Sequence, residues 1–400
     1  MSGGRRGYLD HAATSPMPED VLEAYTSALR VIGNPASTHG HGQGASELLE
    51  ESRARIARAL GSDHAELIFT GGGTESINLA LKGMFWARRR AGAGPVVLVA
   101  DGEHHATLEA AEWLRDAQGA RLRLLPVDAH GALHPETLEA AIAEEGAGEI
   151  ALLSFLWANN EVGTVQPVRE LCAIARRAGI PAHVDAVSAL GQLQIDFRSS
   201  GASAVSVSAH KIGGPVGIGA LVLDRRAATD ALIHGGSQQR SRSGTQDAAG
   251  AAAFAAAIAH SLDGRGAPRP ERIERLAAMR DALIAGVRSL APDAVLRGSD
   301  PAAGASARLP GNAHFTFPGC QGDSLVFMLD AAGVSVSVGS ACRAGVAEIS
   351  HVLLAMGLTE AEAAGALRFT LSPETGDSEI EALLEALPAA LDRARAAGLS

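Results

Sequence analysis

One lysine stands where a predicted strand ends. The stretch Val205–Pro215 alternates apolar and small polar residues as far as Ser208, then continues through His210-Lys211 into a Gly-Gly-Pro turn. Open α/β folds place their chemistry at such strand ends. A lysine there is either an ordinary surface charge or an amine in a dry pocket, which can form a Schiff base with a carbonyl. We interpret Lys211 as the second kind.

Other predicted strands also end in polar residues. Strand, polar loop and helix alternate along this part of the chain, which predicts an α/β fold: a mostly parallel sheet with helices on both faces. The carboxyl ends of parallel strands share one edge of the sheet, so these side chains should converge. They are Thr74, His104, Asn160, Asp185 and Lys211.

Such a cluster suits a phosphorylated, pyridine-type aldehyde cofactor that acts as an electron sink. Lys211 supplies the amine, Asp185 can keep the ring nitrogen protonated, and His104 can stack on the ring and move protons. The alternatives are a capping aspartate and a surface histidine. The Gly71–Thr74 turn before a helix is a weak phosphate signal by itself. The residues that can share the phosphate are Gly73, Thr74, Ser208, His210 and Thr245.

Two residues late in the chain could act on a substrate. Cys342 lies among small residues and glycines, and the following Arg343 would favour its thiolate. An incidental thiol is the alternative. Arg368 is a lone charge in an apolar strand, so it suits a carboxylate bound bidentately, with a structural salt bridge as the alternative. Cys172 is predicted to lie in the core and Cys320 in a loop.

The loop Gly33–Gly42 is punctuated by glycine and proline and contains Asn34, His39 and His41. It has no carboxylate or cysteine at ligand spacing, so we interpret it as a substrate-side loop and expect no metal.

The length and composition of the chain limit the classes of protein to which it can belong. A length of 400 residues fits one large domain plus a smaller one. The stretch Gly264–Pro270 reads as a hinge, so we expect a large cofactor domain (15–262) and a smaller α+β domain (1–14 and 263–400) that carries the cysteine loop. The net charge of −11 argues against direct nucleic-acid binding. We see neither a secretory signal nor an apolar run long enough for a membrane span. Three cysteines without a CxxC motif favour the reducing cytoplasm.

Taken in order, these motifs resemble the cysteine desulfurase family, pyridoxal-phosphate enzymes of the class V aminotransferase group (fold type I). The resemblance runs from Tyr8 to about Leu371, and the ordered set is far more specific than any single motif. The matching motifs are Gly33-Asn34-Pro35-Ala36-Ser37, Thr74-Glu75-Ser76-x-Asn78, Glu103-His104, Asn159-Asn160-Glu161-x-Gly163, His183-Val184-Asp185-Ala186, Ser208-x-His210-Lys211-x-x-Gly214-Pro215, Arg242-Ser243-Gly244-Thr245, Gly339-Ser340-Ala341-Cys342 and Arg368-Phe369.

The resemblance implies a homodimer that acts on L-cysteine with pyridoxal 5'-phosphate on Lys211. Cys342 would attack the substrate sulfur, leaving L-alanine and a persulfide for an acceptor protein, either an iron–sulfur scaffold or a tRNA-thiolation enzyme. The remaining implied roles are Asp185 at the ring nitrogen, His104 stacked on the ring, Asn160 and Ser188 near the ring hydroxyl, Thr245 at the other subunit's phosphate, and Arg368, Asn160 and Asn34 on the substrate side.

Two positions depart from the family pattern. Ser188 stands where Gln is usual, and Val338 where Ser or Thr is common. The alternatives to a desulfurase are a related class V transaminase or selenocysteine/cysteine lyase, in which Cys342 would be dispensable, and a sulfur-delivery scaffold that is inactive without its partner.

Overall fold

The computed structural model describes residues 7–303, 308–339 and 349–396. The strands are β1 (Gly7–Tyr8), β2 (Leu67–Thr70), β3 (Val96–Ala100), β4 (Arg121–Leu125), β5 (Ile150–Leu156), β6 (Ala182–Asp185), β7 (Ala204–Ser208), β8 (Gly219–Leu223), β9 (Val295–Arg297), β10 (Asn312–Thr316), β11 (Val334–Ser335) and β12 (Ala366–Thr370).

Helices alternate with these strands. They are α1 (Glu19–Ala28), α2 (Gly40–Ala59), α3 (Gly73–Arg90), α4 (His105–Gln118), α5 (Pro135–Glu145), α6 (Val168–Arg177), α7 (Phe197–Ser200), α8 (Ala248–Ser261), α9 (Pro270–Leu290), α10 (Gly322–Ala331), α11 (His351–Ala355), α12 (Glu360–Ala363) and α13 (Asp377–Ala396). None of the helices within the described ranges combines the length and apolar character that a membrane span requires.

The main sheet has seven strands in the order β2-β8-β7-β6-β5-β3-β4. The pairs from β7 to β4 are parallel, whereas β8 runs antiparallel to both of its neighbours. This arrangement confirms the predicted mostly parallel sheet. Its interior strand β5, with the sequence IALLSFL, is buried throughout, as expected when helices cover both faces of a sheet.

Helix α6 illustrates how the helices cover this sheet. Its buried side includes Leu171, Cys172 and Ala175, whereas Arg176 and Arg177 end the helix. An apolar stripe at helical spacing packs on a sheet and leaves the charges in water. Cys172 is therefore in the core, as predicted.

The later part of the chain forms a separate core beside the main sheet. A three-stranded antiparallel sheet in the order β12-β10-β9 packs with α9, α10 and α13, and β1 pairs with β11. The apolar cluster of this part combines Leu9 with residues between Leu276 and Ala394. The domain division at about residue 262 stays a prediction, which this separate cluster supports. Cys320 lies in a loop but is only 3% exposed, because it packs in this cluster.

Candidate active site

A cavity of about 370 Å³ lies at the carboxyl ends of the main-sheet strands. It brings together most of the residues that the sequence singled out, because parallel strands and the loops after them meet at this edge. Residues of the smaller part complete the wall, among them Ser337, Gly339 and Arg368. The predicted site residues that line the cavity are Gly73, Thr74, His104, Asn160, Asp185, Ser188, His210, Lys211 and Arg368.

Lys211 lies in a short 3-10 helix, Ala209–Ile212, directly after β7. Its Nζ donates to the carbonyl oxygens of Ala12 and Ala13, the latter at 3.1 Å. Burial, and then the positive charge of Arg368, lower the pKa of Lys211 to about 8. A lysine in these surroundings releases its proton near neutral pH, as a Schiff-base amine must.

Asp185 is the last residue of β6 and is 3% exposed. Its Oδ1 accepts a hydrogen bond from the backbone N–H of Val187 at 2.9 Å, and no salt bridge to it forms among the described residues. Burial raises the pKa of Asp185 to about 6. A buried carboxylate without a cation is unfavourable, so a protonated ring nitrogen would suit this position.

His104 is the N-cap of α4 and lines the cavity. Its Nδ1 accepts a hydrogen bond from the backbone N–H of Ala106 at 3.1 Å. The side chain of His104 is exposed toward the open cavity, but the surrounding protein still removes water from its ring. This desolvation, followed by the charge of Lys211, lowers the pKa of His104 to about 4. The ring is therefore neutral at pH 7, and because Nδ1 is an acceptor, the proton is on Nε2.

The start of α3 forms the predicted anion cradle. Gly73 opens this 18-residue helix, whose first N–H groups have no partner within the helix. A Cβ on Gly73 would lie 2.8 Å from Cγ2 of Val187, so a larger residue would close the cradle. The hydroxyl of Ser208, a residue 1% exposed, is beside it without a hydrogen-bond partner among the described residues. Backbone N–H groups without hydrogen-bond partners at a helix N-terminus form a favourable binding site for a phosphate.

Arg368 pairs with a residue from the opposite end of the chain. Its Nη2 donates to Asp10 Oδ1 at 2.9 Å, and its Nη1 donates to the carbonyl oxygen of Asn160 at 3.0 Å. The structural salt bridge considered for this arginine is therefore present. Arg368 Nε and Asn160 Oδ1 are buried without partners among the described residues, so both retain hydrogen-bonding capacity for a substrate.

Two glutamates whose roles the sequence does not predict are buried at the same edge of the sheet. Glu103 Oε1 accepts from the backbone N–H of Leu156 at 2.7 Å, and burial, with Asp185 nearby, raises its pKa well above the usual range. Glu161 is 2% exposed, and burial raises its pKa too. Each lies in the polar loop that follows a strand, β3 for Glu103 and β5 for Glu161, and this position is the signal that the sequence offers. His105 and His351 also line the cavity, with ring centroids 4.5 Å apart.

Other predicted residues lie apart from the cavity wall. Asn34 is exposed, and its Oδ1 accepts from the backbone N–H of Ala36 at 2.9 Å. Thr245 is also exposed. Cys342 lies outside the described residues. Ser188 lines both this cavity and a second one of about 340 Å³, which also borders Lys211.

Comparison with known proteins identifies the family. The family model for aminotransferase class-V matches residues 7–383. A protein of Mycobacterium tuberculosis named IscS-like cysteine desulfurase is 46% identical over 395 residues, 98% of each chain. A solved NifS-like protein has a TM-score of 0.86 at 31% identity, covering 97% of this chain and 100% of its own. A structure of SspA in complex with cysteine has a TM-score of 0.77 at 28% identity, covering 92% and 99%. The chain thus belongs to the pyridoxal-phosphate-dependent cysteine desulfurases of the class-V aminotransferase family.

Proposed function

We propose that this desulfurase binds pyridoxal 5'-phosphate on Lys211 and transfers sulfur from L-cysteine to Cys342, releasing L-alanine. One observation carries the proposal: the lowered-pKa amine of Lys211 and the buried carboxylate of Asp185, which forms no salt bridge among the described residues, line one cavity beside the glycine-rich start of α3. An aldehyde, a ring nitrogen and a phosphate on one molecule would satisfy these three groups.

The bound cofactor supplies an electron sink for the substrate's carbon atoms. Lys211 would hold the cofactor, and Asp185 would keep a proton on the ring nitrogen through a charge-assisted hydrogen bond. His104, neutral with its proton on Nε2, would lie beside the ring and could exchange a proton at that atom. The Gly73 and Thr74 amides, with Ser208 and His210, would hold the phosphate.

The substrate's carboxylate binds at Arg368. Arg368 and Asn160 line the same cavity and each has one buried polar atom without a partner among the described residues. Nε of Arg368 can donate to the substrate's carboxylate, and Oδ1 of Asn160 can accept from its amino group. The complex of the related SspA with cysteine supports L-cysteine as the substrate. Asn34 stays a predicted substrate-side residue of an exposed loop, and Ser188 a predicted neighbour of the ring hydroxyl.

The sulfur step needs no external oxidant. The Cys342 thiolate attacks the substrate's sulfur, an S–S bond forms, and the Cβ–S bond breaks with its electron pair passing to the substrate carbon. Protonation of that carbon gives L-alanine, and Cys342 keeps the sulfur as a persulfide. Sulfur is formally oxidised while carbon is reduced, so atoms and electrons balance between one L-cysteine and one enzyme thiol.

The protein acts as a homodimer in which Thr245 reaches the other subunit's phosphate. Thr245 is exposed on its own subunit, and Val216, five residues after Lys211, is an apolar side chain 79% exposed. A partner subunit that covers this face would remove the Val216 side chain from water. The persulfide passes to an iron–sulfur scaffold or a tRNA-thiolation enzyme in the cytoplasm, where free thiols such as buried Cys172 and Cys320 persist.

The test is the stoichiometry of the products. Purified protein is given pyridoxal 5'-phosphate, L-cysteine and a thiol reductant, and alanine and sulfide are measured for the wild type, Lys211→Ala and Cys342→Ala. We expect equal alanine and sulfide from the wild type, loss of the lysine-bound cofactor's absorbance in Lys211→Ala, and retained absorbance without turnover in Cys342→Ala. Pyruvate formed only with an amino acceptor would indicate a transaminase, and wild-type sulfide release by Cys342→Ala would refute the proposed step.

A further inference from the structure

One backbone turn near the start of the chain supplies two acceptors for the amine of Lys211. In this turn, Asp10–Thr14, the N–H of Ala13 donates to the carbonyl oxygen of Asp10 at 3.0 Å. The carbonyl oxygens of Ala12 and Ala13 both accept from Lys211 Nζ. A lysine nitrogen that is doubly bonded to an aldehyde carbon carries at most one hydrogen, so it cannot donate to both oxygens. The pair of carbonyls therefore suits the lysine when its amine is free.

Two cavities border this turn. Ala12 lines the active-site cavity and also the second cavity of about 340 Å³. Close packing therefore contributes less to fixing the middle of the turn, and its position depends on hydrogen bonds. The Tyr8 hydroxyl lies 3.1 Å from the carbonyl oxygen of Asp10 and 2.9 Å from that of Thr14, so it holds the two ends of the turn.

Thr370, the last residue of β12, holds the middle of the turn. Its Oγ1 accepts a hydrogen bond from the N–H of Ala12 at 2.8 Å. Its own N–H donates to the carbonyl oxygen of Leu9 at 2.8 Å, its carbonyl oxygen accepts from the N–H of His11 at 3.3 Å, and it is only 4% exposed. An N–H that loses its acceptor must find another partner or water, so removal of this hydroxyl should displace Ala12.

We infer that Thr370 is a positioning residue for Lys211: by fixing the N–H of Ala12, it holds two carbonyl oxygens where they stabilise the free amine, and so favours displacement of the lysine by the substrate's amino group. This inference rests on the proposed attachment of the cofactor to Lys211.

The two equilibria of Lys211 should respond to this hydroxyl with opposite signs. The amine is free before the cofactor binds, and it is free again once the substrate's amino group has displaced it. Weaker acceptors for the free amine therefore strengthen cofactor binding and weaken displacement by the substrate. General damage to the site would weaken both, so the opposite signs identify the positioning role.

The experiment compares Thr370→Val and Thr370→Ser in the full-length protein. Valine keeps the branched shape and removes the hydroxyl, whereas serine keeps the hydroxyl. Thr316→Val is the matched control. Thr316 lies on the neighbouring strand β10, is 2% exposed, and accepts through Oγ1 from Arg297 Nε at 2.9 Å. It makes no hydrogen bond to the turn among the described residues.

The readouts are two titrations followed by absorbance. Apo protein is titrated with pyridoxal 5'-phosphate, which gives the affinity for the cofactor. The loaded protein is then titrated with L-alanine, whose amino group can displace the lysine although it has no sulfur to transfer. Propionate, which has the carboxylate but no amino group, is added as a competitor of L-alanine, so that binding at the carboxylate site is measured separately.

We expect Thr370→Val to bind the cofactor roughly threefold to tenfold more tightly, the range that the loss of one hydrogen bond to the free amine's support implies. It should need roughly threefold to tenfold more L-alanine for the half-maximal spectral change. Thr370→Ser and Thr316→Val should stay within about twofold of the wild type in both titrations, and propionate should bind all four proteins equally within about twofold.

Weaker cofactor binding by Thr370→Val would overturn the inference, as would an unchanged L-alanine titration. Equal weakening of L-alanine and propionate would place the effect at the carboxylate site and would overturn it too. Should Thr370→Val fail to fold, Thr370→Ala, which also lacks the hydroxyl, is titrated in its place. Failure of the wild type to form the lysine-bound absorbance with pyridoxal 5'-phosphate would instead refute the proposed function.

Discussion

Replacing Asp185 with Asn should stabilise the cofactor-free chain while it weakens the cofactor site. Burial raises the pKa of Asp185 from 3.8 to about 6, so the folded chain binds this proton more tightly than the unfolded chain does. A difference of about two pKa units, at about 1.36 kcal/mol each, corresponds to about 3 kcal/mol. The ionised carboxylate therefore destabilises the folded apo chain, and Asn removes that charge while it keeps an acceptor for the N–H of Val187.

The sign of the pH dependence follows from the higher pKa of the folded state. Below about pH 3 the carboxyl is mostly protonated in both states, and the substitution should change the free energy of unfolding little. The gain should reach about half its maximum at pH 5 and about 3 kcal/mol at pH 8. With pyridoxal 5'-phosphate bound, the order should reverse, because the wild-type carboxylate then has a cationic partner.

Urea unfolding of the apo protein, followed by tryptophan fluorescence at pH 5 and pH 8, measures this effect. Asp247→Asn is the matched control, because Asp247 also accepts a backbone N–H, that of Gly250, but is exposed. An exposed cap exchanged between Asp and Asn should change stability little at either pH. No gain for Asp185→Asn at pH 8, or an equal gain at both pH values, would refute the reasoning.

Three further predictions concern the cofactor and the substrate. Because the pKa of Lys211 is about 8, the rate at which apo protein takes up pyridoxal 5'-phosphate should rise about tenfold per pH unit up to pH 8 and then level; a continued rise to pH 10 would contradict the lowered pKa. Gly73→Ala, whose Cβ would lie 2.8 Å from Val187, should weaken cofactor binding by roughly tenfold or more, as measured by equilibrium titration. Gly44→Ala, with open space around it, should leave cofactor binding unchanged. Equal effects of the two substitutions would contradict the role of Gly73 in binding the phosphate. Arg368→Lys should raise the KM for L-cysteine by roughly tenfold or more with less change in kcat, and an unchanged KM would leave the Asp10 salt bridge as the only role of this arginine.

The sequence predicts the convergence of the site because the relevant signals are local. Lys211, Asp185 and His104 each follow an apolar run that reads as a strand, and repeated strand–helix alternation implies that such ends meet. Gly73 is equally predictable from the sequence, since a glycine-rich turn before a helix can be recognised without knowing any distant contact. For these residues, the periodicity of apolar side chains and the residue types in the turns are enough to predict where they lie.

Contacts between distant segments could not be predicted in this way. The bond from Arg368 to Asp10 spans 358 residues, and that from Ser350 to Glu161 spans 189. The first depends on how the N-terminal segment joins the smaller sheet, and the second on how the start of α11 packs against the turn after β5. No local sequence pattern encodes either arrangement. The burial of Cys320 has the same origin, because the side chains that cover it come from other elements of the small core.

Persulfide formation on Cys342 is the most direct test of the proposed mechanism. The holoenzyme is mixed with L-cysteine without reductant, alkylated and digested, and the cysteine peptides are analysed by mass spectrometry beside a Cys320→Ala control. The mechanism predicts one additional sulfur atom on Cys342, an equivalent amount of L-alanine, and the same result in Cys320→Ala, since Cys320 is buried away from the cavity. Alanine released at the wild-type rate with the extra sulfur absent from Cys342 would contradict it.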